Sequence, residues 1–263
     1  MRYVLLLLLG LTCIYPARAQ QEFCGVTNSS FKTGESITLK VFYNLGRLYV
    51  GAGEATFNCS LEKLNGKDVY HVIGDGKTYR TYDWVFKVRD RYESYIDTAT
   101  MQPLKFVRNV SEGGYKIYNN VVFNQQQNTA TSTNGTFKTP DCIQDVISAI
   151  YYARNINFDK YKPGDKIPFN MFLDDEVYNI YIRYVGKEEV DTRFGKFKAI
   201  KFKPLLIKGT MFQGGEQMTV WVSDDANKVP LRIDSPISVG SIKVDMIDYK
   251  NLRYPFTSLL GKR

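Results

Sequence analysis

One stretch breaks the pattern of this chain. From Thr139 to Asn157, TPDCIQDVISAIYYARNIN, the residues Ile143, Val146, Ile147, Ile150 and Ala153 recur at helical spacing inside a sequence that otherwise alternates like β-strands. Gln144, Ser148 and Arg154 fall largely off that apolar face. A lone amphipathic helix must bury its apolar stripe, so a sheet has to lie against it. Thr139 reads as an N-cap, Pro140 as the first helical residue, and Asp141 and Asp145 as acids near the positive end of the macrodipole. The spacing predicts a helix over about 140–154, roughly 22 Å long at about 1.5 Å per residue.

Around that helix the chain meanders. ESITLKVFYNLG and LYVGAGEATFNCSLEKL read as two long strands joined by a turn at Asn44 to Arg47, with Gly51 and Gly53 marking a bulge. Asn65-Gly66, Gly113-Gly114 and Asn134-Gly135 are hairpin signals, and a polar Gln/Asn turn joins the two strands of YKIYNNVVFNQQQNTATSTNGTF. TYRTYDWVFKVRDRYESYID reads as strand with one short break that leaves Val85 and Phe86 in strand. After the helix, Tyr178, Ile180, Ile182 and Tyr184 alternate against polar neighbours, and turns at Asp174 to Glu176 and at Asp225 to Lys228 separate further strands. No linker divides the chain, so the expectation is one all-β domain over 20–263: a curved antiparallel meander or half-open barrel, with the helix against it or inside it.

The first residues, MRYVLLLLLGLTCIYPARAQ, have a basic start, a short apolar run and a small-x-small site at Ala17-Arg18-Ala19, the pattern of a secretory leader over 1–19. The run is too short to cross a bilayer of about 30 Å, which points to a peripheral rather than a transmembrane protein. Leu11-Thr12 is a poor match to the small residues a lipoprotein signal wants before Cys13. Cleavage after Ala19 removes Arg2 and Arg18 from 35 basic residues against 27 acidic ones, leaving +6. Basic and acidic residues are interspersed, so this is no nucleic-acid footprint.

Cleavage leaves Cys24, Cys59 and Cys142 for an oxidising compartment, where an odd count leaves one thiol over. Cys59 alternates with Ala55, Phe57 and Leu61 and reads as a small buried residue, so Cys24 and Cys142 are the favoured bridge.

Chemistry is sparse. His71 is the only histidine and no G-x-S-x-G elbow accompanies it, so neither a zinc site nor a Ser-His-Asp triad is indicated, and no cofactor or metal is called for. The acidic runs Asp174-Asp175-Glu176 and Asp224-Asp225 sit in predicted turns, where Asp is expected for turn chemistry. Arg108 shares a face with Leu104, Phe106 and Val110 and needs an acid, Glu112 or Asp145, or an open cavity. Arg108, Glu112, Asp145 and Arg154 are therefore the candidate polar cluster between sheet and helix. Trp84, Arg91 and Tyr92, from an aromatic and charge-laced segment, are the candidate ligand-facing patch.

Taken together, FKTGESITLKVFYNLGRLYVGAGEATF, YDWVFKVRDRYESYIDTATMQPLKFVRNVSEGGY, CIQDVISAIYYARN and WVSDDANKVPLRI resemble the exported Gram-negative family catalogued as domain of unknown function 3108. The resemblance spans nearly the whole mature chain and implies a YmcC-like fold, a curved sheet wrapped partly around its helix. WVSDDANKVPLRI also looks like the Trp and Pro strands of LolA-type lipoprotein carriers, a fold-level analogy. The family has no established activity. The expectation is a soluble periplasmic protein that is a binding protein rather than an enzyme, holding a lipid, glycan or envelope-protein segment in the concave face of its sheet. The alternatives are a carboxylate-dependent hydrolase of envelope polysaccharide and a structural partner of an outer-membrane assembly.

Overall fold

Alternating strands and hairpin turns carry the chain through fifteen antiparallel strands of one sheet in a computed structural model that describes residues 24–208 and 214–262. The expected leader, 1–19, lies outside the described residues. The first half comprises β1 (Ser36–Leu45), β2 (Leu48–Leu64), β3 (Lys67–Thr78), β4 (Arg89–Asp97), β5 (Pro103–Glu112), β6 (Tyr115–Asn124), β7 (Thr129–Ser132) and β8 (Gly135–Lys138). The helix α1 (Val146–Ala153) follows. The second half comprises β9 (Lys166–Leu173), β10 (Glu176–Asp191), β11 (Gly195–Pro204), β12 (Thr219–Ser223), β13 (Pro230–Pro236), β14 (Ser241–Lys250) and β15 (Leu259–Lys262). In space the order runs β8 through β1 and then β14 down to β9, with β15 beside β11. The sheet does not close: β8 and β9 are its two ends.

Those ends face each other across a seam held by side chains. Phe137 of β8 and Phe172 of β9 lie 5.8 Å apart between ring centroids, and the Asn134 amide donates to Asp175 at 2.6 Å. The seam is also filled by the segment before the helix, because the Gln144 N–H donates to the Asn170 carbonyl and the Phe172 N–H to the Gln144 carbonyl.

That bridging corrects the predicted helix. Thr139, Pro140 and Asp141 carry the signals of a helix start, yet Cys142 has φ +56° and is bonded to Cys24 across 5.5 Å between Cα atoms. Gln144 is spent on the sheet. The helix begins only after Asp145, whose carboxylate accepts from the Ser148 N–H while the Ser148 hydroxyl accepts from the Asp145 N–H, each at 2.8 Å, a reciprocal capping box. It is eight residues long instead of about fifteen. The expected two-faced character also changes. Ile147, Ser148, Ala149, Tyr151 and Tyr152 are buried, and Val146, Ile150 and Ala153, one face at i, i+4 and i+7, are half-buried, so no face of the helix is fully exposed.

Two cores result. The larger surrounds α1 and includes Phe31, Val72, Phe106, Ile147, Tyr152 and Phe172. The smaller gathers Ile37, Leu39, Phe197, Trp221, Leu231 and Met246. Neighbours in one strand serve different cores, Ile200 and Val222 the first, Ala199 and Trp221 the second, because successive side chains leave opposite faces of a strongly coiled sheet. The predicted bulge is present: the β1–β2 register slips between Val41 and Phe42, opposite Gly53 and Gly51. A side chain at Gly53 would stand 2.4 Å from the Lys77 carbonyl oxygen, so glycine is what lets β2 and β3 approach there.

Cys59 is buried as expected, and burial, followed by the charge of Glu35, pushes its thiol up to about 12 while Arg154 opposes the rise. A maleimide should leave the native protein unlabelled and add once in denaturant without reductant. Rapid native labelling of one thiol would contradict the placement of Cys59.

Candidate functional site

The odd hairpins of the sheet, β1–β2, β3–β4, β5–β6 and β13–β14, all turn at one end, and there buried charges and exposed aromatic residues meet. Beneath the end, on the inner face, lie Tyr92 of β4 and Arg108 of β5, paired across the strands with Asn119 of β6 beyond them. Arg108 is 7% exposed and donates to Asp174, at the β9–β10 turn on the far side of the seam. Its Nε and the Asn119 side-chain oxygen have no hydrogen-bond partner among the described residues.

Nearer the rim, Asp90 and Glu112 share a hydrogen bond between their carboxyls, which needs a proton on one of them. Desolvation pushes Asp90 up to about 7; the Ser111 N–H pulls it down, and the neighbouring Glu112 adds to the rise. Tyr92 is pushed up to about 12, chiefly by burial, with Arg108 opposing and Asp90, Glu112 and Asp174 reinforcing it. The five residues form one electrostatic unit at the seam.

Above them the β3–β4 loop is pinned from three sides. Asp83 accepts from Arg89 at 2.6 Å and from the Thr78 hydroxyl at 2.7 Å, and its carboxyl is held below the usual range chiefly by the Arg89 hydrogen bond. The Gly113 N–H donates to the Lys87 carbonyl. Phe86 lies on Gly113, where a side chain would meet its ring at 2.2 Å. Val85 and Phe86 are thus loop rather than strand. The pinned loop carries Trp84 outward, 85% exposed, with Val85 and Phe86 exposed beside it.

The sequence-derived clusters come apart. Arg108 pairs with Asp174 rather than with Glu112 or Asp145, while Glu112 joins Asp90. Arg154, 3% exposed, makes a two-pronged bond to Glu35, 1% exposed, at 2.5 and 2.9 Å, and donates to the Asn227 carbonyl. Asp145 accepts from the Ser94 hydroxyl at 2.6 Å and caps the helix. These are separate buried arrangements, two of them structural. Arg91 and Tyr92 leave opposite faces of β4: Tyr92 packs against the core, and Arg91 joins an outer-face ladder with Asp75 and Glu93. His71, bonded to Glu62 at 2.7 Å and Glu93 at 2.8 Å, extends that ladder. Of the patch, Trp84 alone is free to meet a partner outright.

Sequence reasoning missed Glu35 and Asp90, and read Asp174 as turn chemistry alone. Their partners lie across the sheet or the seam, and no local spacing marks them. Among the described residues no three His, Cys, Asp or Glu side chains are grouped to hold a metal ion, and no helix is long and apolar enough to cross a membrane.

A long antiparallel sheet, open at one seam and wound around a buried helix, defines a class of β-barrel-like proteins. The chain belongs to the family described as "Protein of unknown function (DUF3108)", which it matches over residues 29–247. Its fold is similar to a β-barrel-like protein of domain of unknown function DUF1849 from Brucella abortus, with TM-score 0.53, 6% identity, and 86% of this chain and 100% of that one covered. A candidate lipoprotein from Parabacteroides distasonis matches at TM-score 0.39 and 11% identity, over 85% and 100% of the two chains. A candidate exported protein with a YmcC-like fold from Bacteroides fragilis matches at TM-score 0.33 and 12% identity, over 86% and 100%. No curated protein matches.

Proposed function

We propose that this is an exported, non-enzymatic protein of the cell envelope that acts by binding, and that it meets its partner at the hairpin rim. The leader-like start supports export. One observation moves the binding surface from the concave face to the rim: the concavity is occupied by α1, with Tyr151 and Tyr152 fully buried and Arg154 locked to Glu35. At the rim, by contrast, Trp84 stands 85% exposed on a loop that Asp83, Arg89 and Gly113 hold in place.

A carboxylate hydrolase gains no support. Asp174 is paired with Arg108, Asp175 with Asn134 and Asp224 with Lys187, and Asp225 accepts from Ser223 and Ser258. Asp90 and Glu112 touch, whereas a retaining glycosidase holds its acids about 5 Å apart or more.

Native mass spectrometry of protein released from its own envelope tests the proposal. The wild type should carry a bound mass that the double variant Trp84→Ser/Phe86→Ser loses and the variant Leu61→Ser, at the other end of the sheet, keeps. If no mass accompanies the wild type and no envelope fraction raises its melting temperature, binding at the rim is wrong.

A further inference from the structure

The exposed apolar side chains are not scattered evenly. Leu45 at the β1–β2 turn, Trp84, Val85 and Phe86 in the β3–β4 loop, Tyr115 at the β5–β6 turn and Val239 at the β13–β14 turn are all exposed, and all stand at one end of the sheet. These four connections are successive neighbours along the rim, because the strand order runs β6, β5, β4, β3, β2, β1, β14, β13. The opposite end differs. Its turns beside the first half of the sheet, residues 65–66, 98–102 and 125–128, contain no Trp, Phe or Tyr, and their Met101 is fully buried, while farther round Phe194 and Phe256 are half-buried and Tyr254 is exposed.

Exposed cations accompany these tips. Arg47, Arg80, Lys87 and Lys116 are exposed on or beside the four rim connections. Arg47, Arg80 and Lys116 have no ion-pair partner among the described residues. Three acids around them are offset by a cation, Asp83 by Arg89, Glu54 by Lys77 and Asp234 by Lys243, and Asp90 and Glu112 share one proton, which leaves that pair a single negative charge against the four cations. The outward field of the rim is therefore positive, around a crown of aromatic and aliphatic tips.

Resting on the binding role proposed above, we infer that this rim docks on the surface of an anionic lipid bilayer. Trp84, Val85 and Phe86 enter the headgroup region, where an indole finds both an apolar environment and hydrogen-bond acceptors. Arg80, Lys87 and Lys116 meet lipid phosphates. The Asp83–Arg89 pair and the seat of Phe86 on Gly113 hold the loop in the docking shape before contact, so little order is lost on binding.

Two tryptophans make the test specific. Trp221 is 9% exposed and donates its indole N–H to Glu188 at 2.7 Å, so a change in emission on adding vesicles reports Trp84. Purified protein should float with vesicles containing phosphatidylglycerol and shift its emission to the blue, and should stay behind with phosphatidylcholine vesicles. Trp84→Phe should abolish the emission shift. Arg80→Gln, Lys87→Gln and Lys116→Gln should each weaken the partition coefficient about fivefold, while Leu61→Ser changes neither readout. Equal flotation on both vesicles, an unmoved Trp84 emission, or full binding by the triple charge variant would overturn bilayer docking. If the wild type fails to float but keeps a rim-dependent bound mass from its envelope, the binding role survives and the bilayer as its partner does not.

Discussion

Replacing Glu35 with Leu should lower the unfolding free energy by about 3–5 kcal/mol, because it leaves the Arg154 guanidinium buried without its counter-charge. For a chain of this size that corresponds to a fall in melting temperature on the order of 10 °C. The cost is high because Arg154 joins three parts of the chain. Its guanidinium reaches Glu35 just before β1 and the Asn227 carbonyl between β12 and β13, and its own carbonyl accepts from the Ser30 hydroxyl at 2.5 Å. Its flat face rests over Phe31 and Tyr151. A second substitution separates charge burial from packing. In Glu35→Leu/Arg154→Met both charges are gone and the volume is largely kept, so most of the loss should be recovered. Urea melts of the two variants decide the matter. A Glu35→Leu variant within about 1 kcal/mol of wild type, or a double variant as unstable as the single one, would show that the pair is not what holds the helix end.

How far the sequence discloses this molecule can be judged from these same residues. Turns were legible because their chemistry is local. Asn65-Gly66 adopts φ +51° and +83°, and Asp174 and Asp175 adopt φ +50° and +63°, as the hairpin signals require. The Cys24–Cys142 bridge and the burial of Cys59 were legible from parity and strand pattern. The helix start was not. Thr139-Pro140-Asp141 is a sound local start signal, but the backbone of Gln144 is worth more as a filler of the open seam than as a first helical turn. The second core was also invisible, since alternation in β11 and β12 names two faces without saying that both are covered.

The site residues divide by range. Trp84 could be singled out because an aromatic segment laced with charge is visible in one window. The partner of Arg108 could not, since Asp174 lies 66 positions away and meets it only because the sheet curls until its ends touch. Arg154 and Asp145 looked functional as polar residues on a helix in an apolar setting. Each proves buried and bonded, which assigns them to stability and leaves Trp84, 85% exposed, as the candidate residue open to a partner.

Asp145 nevertheless gives the protein a pH dependence that can be calculated in sign. Burial pushes its carboxyl from 3.8 up to about 7, against the opposing hydrogen bonds from Ser94 and from the Ser148 and Ile147 backbone. Between these values the unfolded chain has released the proton and the native protein still holds it. The native state then binds more protons than the unfolded one, so stability falls as pH rises through this window. The contribution is fully present below about pH 4 and lost above about pH 7. At about 1.36 kcal/mol per pKa unit the loss is roughly 4 kcal/mol. Asp145→Asn removes the titration while keeping an N-cap acceptor for the Ser148 N–H and a donor for the Ser94 hydroxyl. The variant should match wild type near pH 4 and exceed it by a few kcal/mol at pH 8. Asp90, also raised to about 7, contributes to both proteins alike and cancels in the difference. Chemical denaturation of the pair at steps from pH 4 to 8 measures that difference directly. A gap that stays constant with pH would mean that Asp145 ionises normally in the folded protein, and that the helix cap carries a full charge at the centre of the sheet.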